Sequence, residues 1–307
     1  MDSEAPRCLV TGGAGFIGSH LVEALVRRGY QTTVLDNQST GTRRELPTGV
    51  RLVDGDIRDP EAVDRAVAQA DYVFHLAAYI SASGSMDEPR ECFETNTLGL
   101  LNVLKSSGAH RTRKLIFASS CAVYRSGGAS ARREQDRPAP GSPYAVSKLD
   151  GEYLLAVNHG ASGIPYVALR YFNVYGPGQP PGGQYAAVIP AFIQTALAGG
   201  DLHIFGDGAQ TRDFVFVEDV AQATVRAMEA GLGVYNVGTG RSVTIRGLAH
   251  AVTELSGSRA ETVLDAPRPG EVRHSLANVL KARRELGWEA SWSLEEGLKE
   301  TIRWFRS

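Results

Sequence analysis

Thr11-Gly12-Gly13-Ala14-Gly15-Phe16-Ile17-Gly18 is the stretch on which the fold turns. Before it, Arg7–Thr11 is a short apolar run. After it, Phe16, Ile17, His20, Leu21, Ala24 and Leu25 recur at helical spacing until Gly29 stops the helix. A strand, a glycine loop and a helix in that order make a phosphate-binding turn. Gly12 permits the tight turn, Gly15 lets the backbone approach a pyrophosphate, and Gly18 lets the helix pack closely on the sheet. The helix N-terminus, with Phe16 and Ile17 in its first turn, offers unpaired N–H groups and a positive dipole end to the phosphates. The next strand-like run, Gln31–Asp36, ends in an acid 18 residues beyond Gly18. An acid there accepts bonds from the adenosine ribose hydroxyls and repels a 2′-phosphate, which favours NAD over NADP. Arg43 and Arg44 nearby temper that preference.

Outward from this unit the two periods keep alternating. Residues 51–53, 72–76, 114–119 and 165–171 read as short buried strands, and 60–70, 92–107 and 144–158 as helices. Asp59 stands as N-cap with Pro60 at the first helical position. The expected fold is α/β: a doubly wound parallel sheet of the Rossmann type, with ligands outside the carboxyl ends of the strands. After Gly176 the pattern changes. Residues 1–176 read as the NAD-binding domain and 177–307 mainly as a smaller mixed α/β substrate domain, with a strand near 234–238 returning to the main sheet.

Composition removes other classes. The chain has 307 residues, 43% hydrophobic and 21% charged, with a formal net charge of −2. Nothing there points to nucleic acid or a membrane surface. No run approaches a membrane span, the N-terminus has no apolar leader, and three scattered cysteines make neither a disulfide framework nor a zinc site. No metal is expected. A reduced, cytoplasmic enzyme or binding protein is the default.

Tyr144 and Lys148 stand four apart at the start of a helix, on one face. An ammonium beside a phenol favours the phenolate and lowers its pKa from about 10. A phenol so tuned exchanges a proton with an alcohol.

These motifs resemble the extended short-chain dehydrogenase/reductases, specifically the NAD-dependent nucleotide-sugar epimerase/dehydratase family and its UDP-glucose 4-epimerase-like members. The resemblance runs through TGGAGFIG (11–18), VLDN (34–37), DGDIRD (54–59), HLAA (75–78), SSCAVY (119–124), SPYAVSK (142–148), LRYFNVYGPGQ (169–179), FGDGAQTRDFVFVEDV (205–220), YNVGTG (235–240) and RPGE (268–271). It implies that Asn37 joins Asp36 in the cofactor site and that Asp56 and Ile57 flank the adenine. Leu76, Ala77, Ala78 and Asn96 should line the dinucleotide, and Tyr171 and Phe172 should run past the nicotinamide. Ser120, Tyr144 and Lys148 are the implied catalytic set, with NAD tightly bound and regenerated in each cycle. Asn173 should contact a sugar nucleotide, Val188 should lie along it, and Phe205 should be near the uracil. Arg212 and Arg268 should clamp the diphosphate, and Glu271 should reach the uridine ribose. Guanidinium forks match phosphate oxygens. Ser81, Ser83 and Ser85 edge the expected sugar site.

The reaction follows from what accompanies this set. Eliminating members of the family place an acidic pair directly after the catalytic Ser or Thr. Cys121 and Ala122 occupy those positions here. The expectation is therefore 4-epimerisation of a UDP-sugar through a 4-keto intermediate. An NDP-sugar dehydratase using Cys121 as acid and a UDP-uronic acid 4-epimerase are the alternatives. In the family the residue seven places after the RPGE-type Arg lines the sugar pocket; here it is the small Ser275. That admits UDP-GlcNAc/GalNAc beside UDP-Glc/Gal. Arg125 replaces the family's usual Gly, and the Arg-rich 125–137 reads as a solvated loop. Residues 92–107 and 144–158 carry apolar residues on more than one face; the resemblance implies that these two helices pair across a homodimer as a four-helix bundle, with burial within one chain as the alternative.

Overall fold

The computed structural model describes residues 5–39, 46–124, 130–181, 187–267 and 272–307. Strand β1 (Arg7–Thr11) leads through the glycine loop into α1 (Phe16–Arg27), and β2 (Gln31–Asp36) and β3 (Arg51–Asp54) follow. Helix α2 (Pro60–Val67) is capped by the Asp59 carboxylate, which accepts from the Glu61 N–H at 2.9 Å. It ends three residues short of the expected Ala70. After β4 (Tyr72–His75) come α3 (Gly84–Asp87), α4 (Pro89–Phe93), a π turn over Glu94–Leu98 and α5 (Gly99–Ala109). The single helix expected over 92–107 thus starts earlier and carries an inserted π turn. Then come β5 (Lys114–Ser120), α6 (Pro143–Ser162) and β6 (Tyr166–Tyr171).

The second half opens with β7 (Asn173–Tyr175), α7 (Val188–Leu197), β8 (Leu202–Phe205), β9 (Thr211–Arg212) and β10 (Phe214–Phe216). Helix α8 (Val217–Glu229) and strand β11 (Gly233–Val237) come next, then β12 (Val243–Thr244), α9 (Ile245–Ser256), β13 (Thr262–Asp265), α10 (Leu280–Glu285) and α11 (Leu294–Arg306).

Among the described residues, seven strands form one parallel sheet in the order β11-β6-β5-β4-β1-β2-β3. Period-2 alternation splits its side chains between two cores. Cys8, Val10, Ile116, Val167 and Leu169 face α1 and α8, while Leu9, Leu115, Phe117 and Ala168 face α2, α5 and α6. The chain after 176 therefore serves the sheet twice: β11 extends its edge, and α8 packs against α1. A third core gathers Tyr175, Phe192, Phe214, Phe216, Leu248 and Ile302 among α7, α9, α11 and the short strands. Asp219, buried near the start of α8, accepts from the Ser291 and Trp292 N–H groups at 3.0 Å each and joins the two regions.

Candidate active site

The glycine loop has the geometry a dinucleotide needs. Gly12 sits at φ +72°, and a Cβ there would come 2.6 Å from the Ala77 nitrogen. A Cβ at Gly18 would fall on the Gly12 carbonyl. Gly15 is the N-cap of α1 and gives its first turn no side-chain cap, which leaves those N–H groups for an anion. Asp36 accepts from the Ala14 N–H at 2.9 Å and the Gln38 N–H at 2.8 Å, one bond on each oxygen, so the acid also ties the loop to β2.

Around this loop the expected cofactor residues take several forms. Leu76 and Ala77 bond Thr11 through their N–H groups, which seats 76–78 beside the loop. Asn37 donates to Asp56 at 2.9 Å, and the Arg58 guanidinium beside Asp56 holds its carboxyl down at about 2. The Ile57 side chain is core, packed under Gly99. Asn96, in the π turn, accepts from the Tyr79 N–H (2.7 Å) and donates to the Tyr79 carbonyl (3.0 Å) and Ser147 Oγ (2.9 Å). Its amide shapes the segment after β4. Tyr171 lies on the α8 side of the sheet, where its hydroxyl meets Thr224 at 2.7 Å. Phe172 packs with Val123, Tyr124 and Ala277. Only the backbone of 171–172 remains to border a nicotinamide.

At the carboxyl end of β5, Ser120 Oγ caps the turn over Cys121–Val123, and its hydroxyl acts to lower the Tyr144 phenol. Burial pushes the Tyr144 phenol up to about 12, and the Ser120 bond works against it. Lys148 is buried, with Nζ donating to the Ala118 carbonyl at 2.9 Å and lying 5.9 Å from the Tyr144 ring centre. Burial drives its pKa down to about 8. Burial thus sets the direction of the Tyr144 shift, against the lowering expected from Lys148, which is not among the influences on the phenol here. Two serines position Tyr144: Ser85, which the sequence places at the edge of the sugar site, and Ser147, which it does not single out. Ser85 is buried, accepts from the Tyr144 N–H at 3.1 Å and donates to the Ala82 carbonyl, so it supports α6 and does not reach toward a sugar. Ser147 Oγ donates to the Tyr144 carbonyl at 2.8 Å. Ser81 accepts from the Gly84 N–H, shaping the turn into α3.

The second region closes the other side. Asn173 Oδ1 is buried and has no hydrogen-bond partner among the described residues. Val188 opens α7, half-buried against the third core, and Phe205 ends β8. Segment 273–275 runs along β9, with the Ser275 N–H on the Thr211 carbonyl at 3.1 Å, beside Arg212. The Ser275 hydroxyl acts to lower the Cys121 thiol, so the wall carrying Arg212 comes near the turn carrying Ser120. Burial pushes the Cys121 thiol up to about 11. Asp213, fully buried, accepts from the N–H groups of Thr239, Gly240 and Ala277 and fixes these loops to one another. Arg268, Glu271, Arg43 and Arg44 lie outside the described residues.

This site stands where the sequence does. Residues 8–238 match the model of the NAD dependent epimerase/dehydratase family. The chain belongs to that family. A solved UDP-glucose 4-epimerase from Thermotoga maritima, with UDP-glucose, is 41% identical at TM-score 0.94, covering 98% of each chain. A UDP-N-acetylglucosamine 4-epimerase from Methanobrevibacter ruminantium M1, in complex with UDP-N-acetylmuramic acid, is 36% identical at TM-score 0.95, covering 99% of each. A UDP-N-acetyl-alpha-D-glucosaminuronate decarboxylase from Bacillus cytotoxicus is 37% identical over 316 residues, covering 98% of each chain. Within the family the residues at the reacting centre therefore decide the chemistry.

Proposed function

We propose that this protein is an NAD-dependent UDP-sugar 4-epimerase, with Tyr144, Ser120 and Lys148 as its catalytic residues. The observation that carries this reading is the placing of Ser120 at the carboxyl edge of the sheet, where its hydroxyl acts on the buried Tyr144 phenol, followed by a turn with no carboxylate. NAD, when bound, accepts hydride from sugar C4 and gives it back. Gly12, Gly15, Gly18 and the N-terminus of α1 would hold its pyrophosphate, Asp36 and Asn37 its ribose, and Asp56, Ile57 and 76–78 would line it. Tyr144 takes the proton of the sugar 4-hydroxyl and returns one to the 4-keto oxygen from either face. Ser120 orients that oxygen and favours phenolate, with Lys148 completing the set. Asn173, Val188, Phe205, Arg212, Arg268 and Glu271 would hold the uridine diphosphate while the sugar turns. In this reading 1–176 is the cofactor domain and 177–307 mainly the substrate domain.

Elimination is the weaker reading. A Cys121 thiol pushed up to about 11 stays protonated near neutrality and so can serve as an acid, but elimination also needs a base to remove the C5 proton, and this turn offers none. Ala122 moves no proton. Ser275 beside Cys121 leaves space where an aromatic would crowd a 2-N-acetyl group, which supports turnover of both UDP-Glc and UDP-GlcNAc. Proton NMR of the purified protein with each sugar and no added cofactor tests this. A galacto-configured anomeric signal is expected; a vinyl or 6-deoxy methyl signal would overturn the reading.

The working unit in this proposal is a homodimer. Leu98 and Leu101 on the π turn and α5, and Tyr153 and Val157 on the neighbouring α6, expose 40–70% of their surfaces. A second copy covering them buries one apolar face. A cytoplasmic location completes the proposal, supported by three free cysteines. No described helix is long and apolar enough to cross a membrane.

A further inference from the structure

The Arg-rich stretch after Tyr124 takes no part in the chemistry above, yet its described portion is not a solvated loop. Arg132 forms a parallel bridge with Ala277: its N–H donates to the Leu276 carbonyl, and its carbonyl accepts from the Asn278 N–H, both at 2.8 Å. Two residues on, the Glu134 carboxylate accepts from the Asn236 N–H at 2.9 Å. Asn236 lies on β11, the edge strand of the main sheet, whose outer N–H groups have no neighbouring strand. The Glu134 carbonyl accepts from Arg170 Nη1 at 3.2 Å. Arg170 is itself clamped by Glu152 at 2.6 and 2.8 Å, and Glu152 also accepts from Ser119, the neighbour of Ser120.

The strap is therefore pinned to the sheet at Glu134 and pins 276–278 in turn. Asn236 reinforces it by donating from Nδ2 to the Arg132 and Asn278 carbonyls at 2.8 and 3.2 Å. Segment 276–278 follows Ser275, whose N–H donates to the Thr211 carbonyl at 3.1 Å, next to Arg212 on β9.

We propose that Glu134 is a positioning residue for the sugar pocket: by accepting from the Asn236 N–H, it holds the strap against 276–278 and so fixes Ser275 against β9 beside Arg212. The proposal rests on the reading of this wall as part of a UDP-sugar site. It assigns Glu134 to ground-state binding of the sugar, not to the proton transfer, because the strap bonds Leu276 and Asn278, next to Ser275, and hydrogen-bonds neither Tyr144 nor Lys148. Its acceptor oxygen matters more than its charge, since its partner is a neutral N–H.

The test compares Glu134→Ala with Glu134→Gln in the full-length protein. Two readouts are taken: backbone amide hydrogen exchange of 130–140 and 272–280 without substrate, and kcat and KM with UDP-glucose. In Glu134→Ala the Arg132 and Asn278 amides should exchange about tenfold faster, and KM should rise about tenfold while kcat stays within about threefold. Glu134→Gln keeps an acceptor oxygen and should restore both. Unchanged exchange in Glu134→Ala, a fall in kcat at constant KM, or a glutamine variant as impaired as the alanine variant would each overturn the proposal. Failure of the wild-type protein to turn over any UDP-sugar defeats the reading of the pocket instead, and the exchange data then decide by themselves whether Glu134 holds 276–278.

Discussion

The Tyr144 phenol is set by opposed forces of unequal size. Burial opposes its ionisation, and the Ser120 hydroxyl favours it. Removing that hydroxyl leaves burial unopposed. Ser120→Ala should therefore lower kcat/KM at neutral pH by about a hundredfold. It should also move the acid limb of the pH–rate profile toward alkaline pH, because the phenolate becomes harder to form. A lowered rate with an unmoved limb would remove Ser120 from the tuning of Tyr144. The i,i+4 spacing of Tyr144 and Lys148 shows in the sequence that they share a helix face, but not how deeply that face is buried. Depth is what reverses the sign of the Tyr144 shift. Ser275 invites a second substitution. In Ser275→Tyr a ring would stand against Cys121 and take the room of a 2-N-acetyl group. UDP-GlcNAc turnover should fall at least about tenfold relative to UDP-glucose, a ratio read by NMR in one mixed-substrate tube. An unchanged ratio would place Ser275 outside the sugar pocket.

Helix α1 shows how packing overrides propensity. In an exposed helix a Gly-to-Ala change stabilises by about 1 kcal/mol. At Gly18 the added Cβ meets the Gly12 carbonyl, so the loop must move. Gly18→Ala should instead cost about 2 kcal/mol or more in urea unfolding. It should also strip the purified protein of nucleotide, seen as lost absorbance at 260 nm in the acid supernatant. A stabilised variant that keeps its nucleotide would break the assignment. Helices α5 and α6 carry the dimer proposal at the same scale. Val157→Asp places a charge on a side chain that is 70% exposed in one chain. It should halve the mass in sedimentation velocity without changing the monomer's fold, whereas an unchanged mass would reject this face. The strands of the parallel sheet and the return of β11 were legible because buried parallel strands are short apolar runs between turn residues. The π turn was not, since it depends on Asn96 reaching Tyr79 across 17 residues and leaves the apolar spacing nearly intact. Docking of the strap was hidden for the same reason, its register pairing Arg132 with Ala277. The Tyr171 side chain was within reach of a closer reading. Along β6, Arg170 and Tyr171 must face opposite sides, and only the first can meet α6.

Over the whole molecule, alkaline stability is a balance between buried lysines and buried acids. Lys148 and Lys114 are both held at about 8, against about 10.4 in an unfolded chain. Burial is the cause in each, and each keeps one carbonyl partner, Ala118 for Lys148 and Ala230 for Lys114. Between those two pKa values the unfolded chain binds more protons than the folded one, so this contribution makes stability rise with pH. Below pH 8 both states are charged and the full cost of burying the ammonium is present. The thiols and phenols act the other way. Cys8 is pushed up to about 12, Cys121 to about 11 and Tyr144 to about 12, so the folded state holds protons that the unfolded chain gives up above about pH 8.5. The net curve mixes the two signs, but a difference between variants isolates one. Lys114 lies at the start of β5, away from Tyr144 and the glycine loop, and Lys114→Met removes its titration while keeping an apolar stem. The stability of wild type minus that of Lys114→Met should increase between pH 7.5 and pH 9.5, by at most about 3 kcal/mol for a shift of about 2.4 pH units. Urea unfolding of both proteins at the two pH values measures it, with the acid groups cancelling in the difference. A difference that stays flat would mean that the Ala230 carbonyl holds Lys114 fully charged in the folded state.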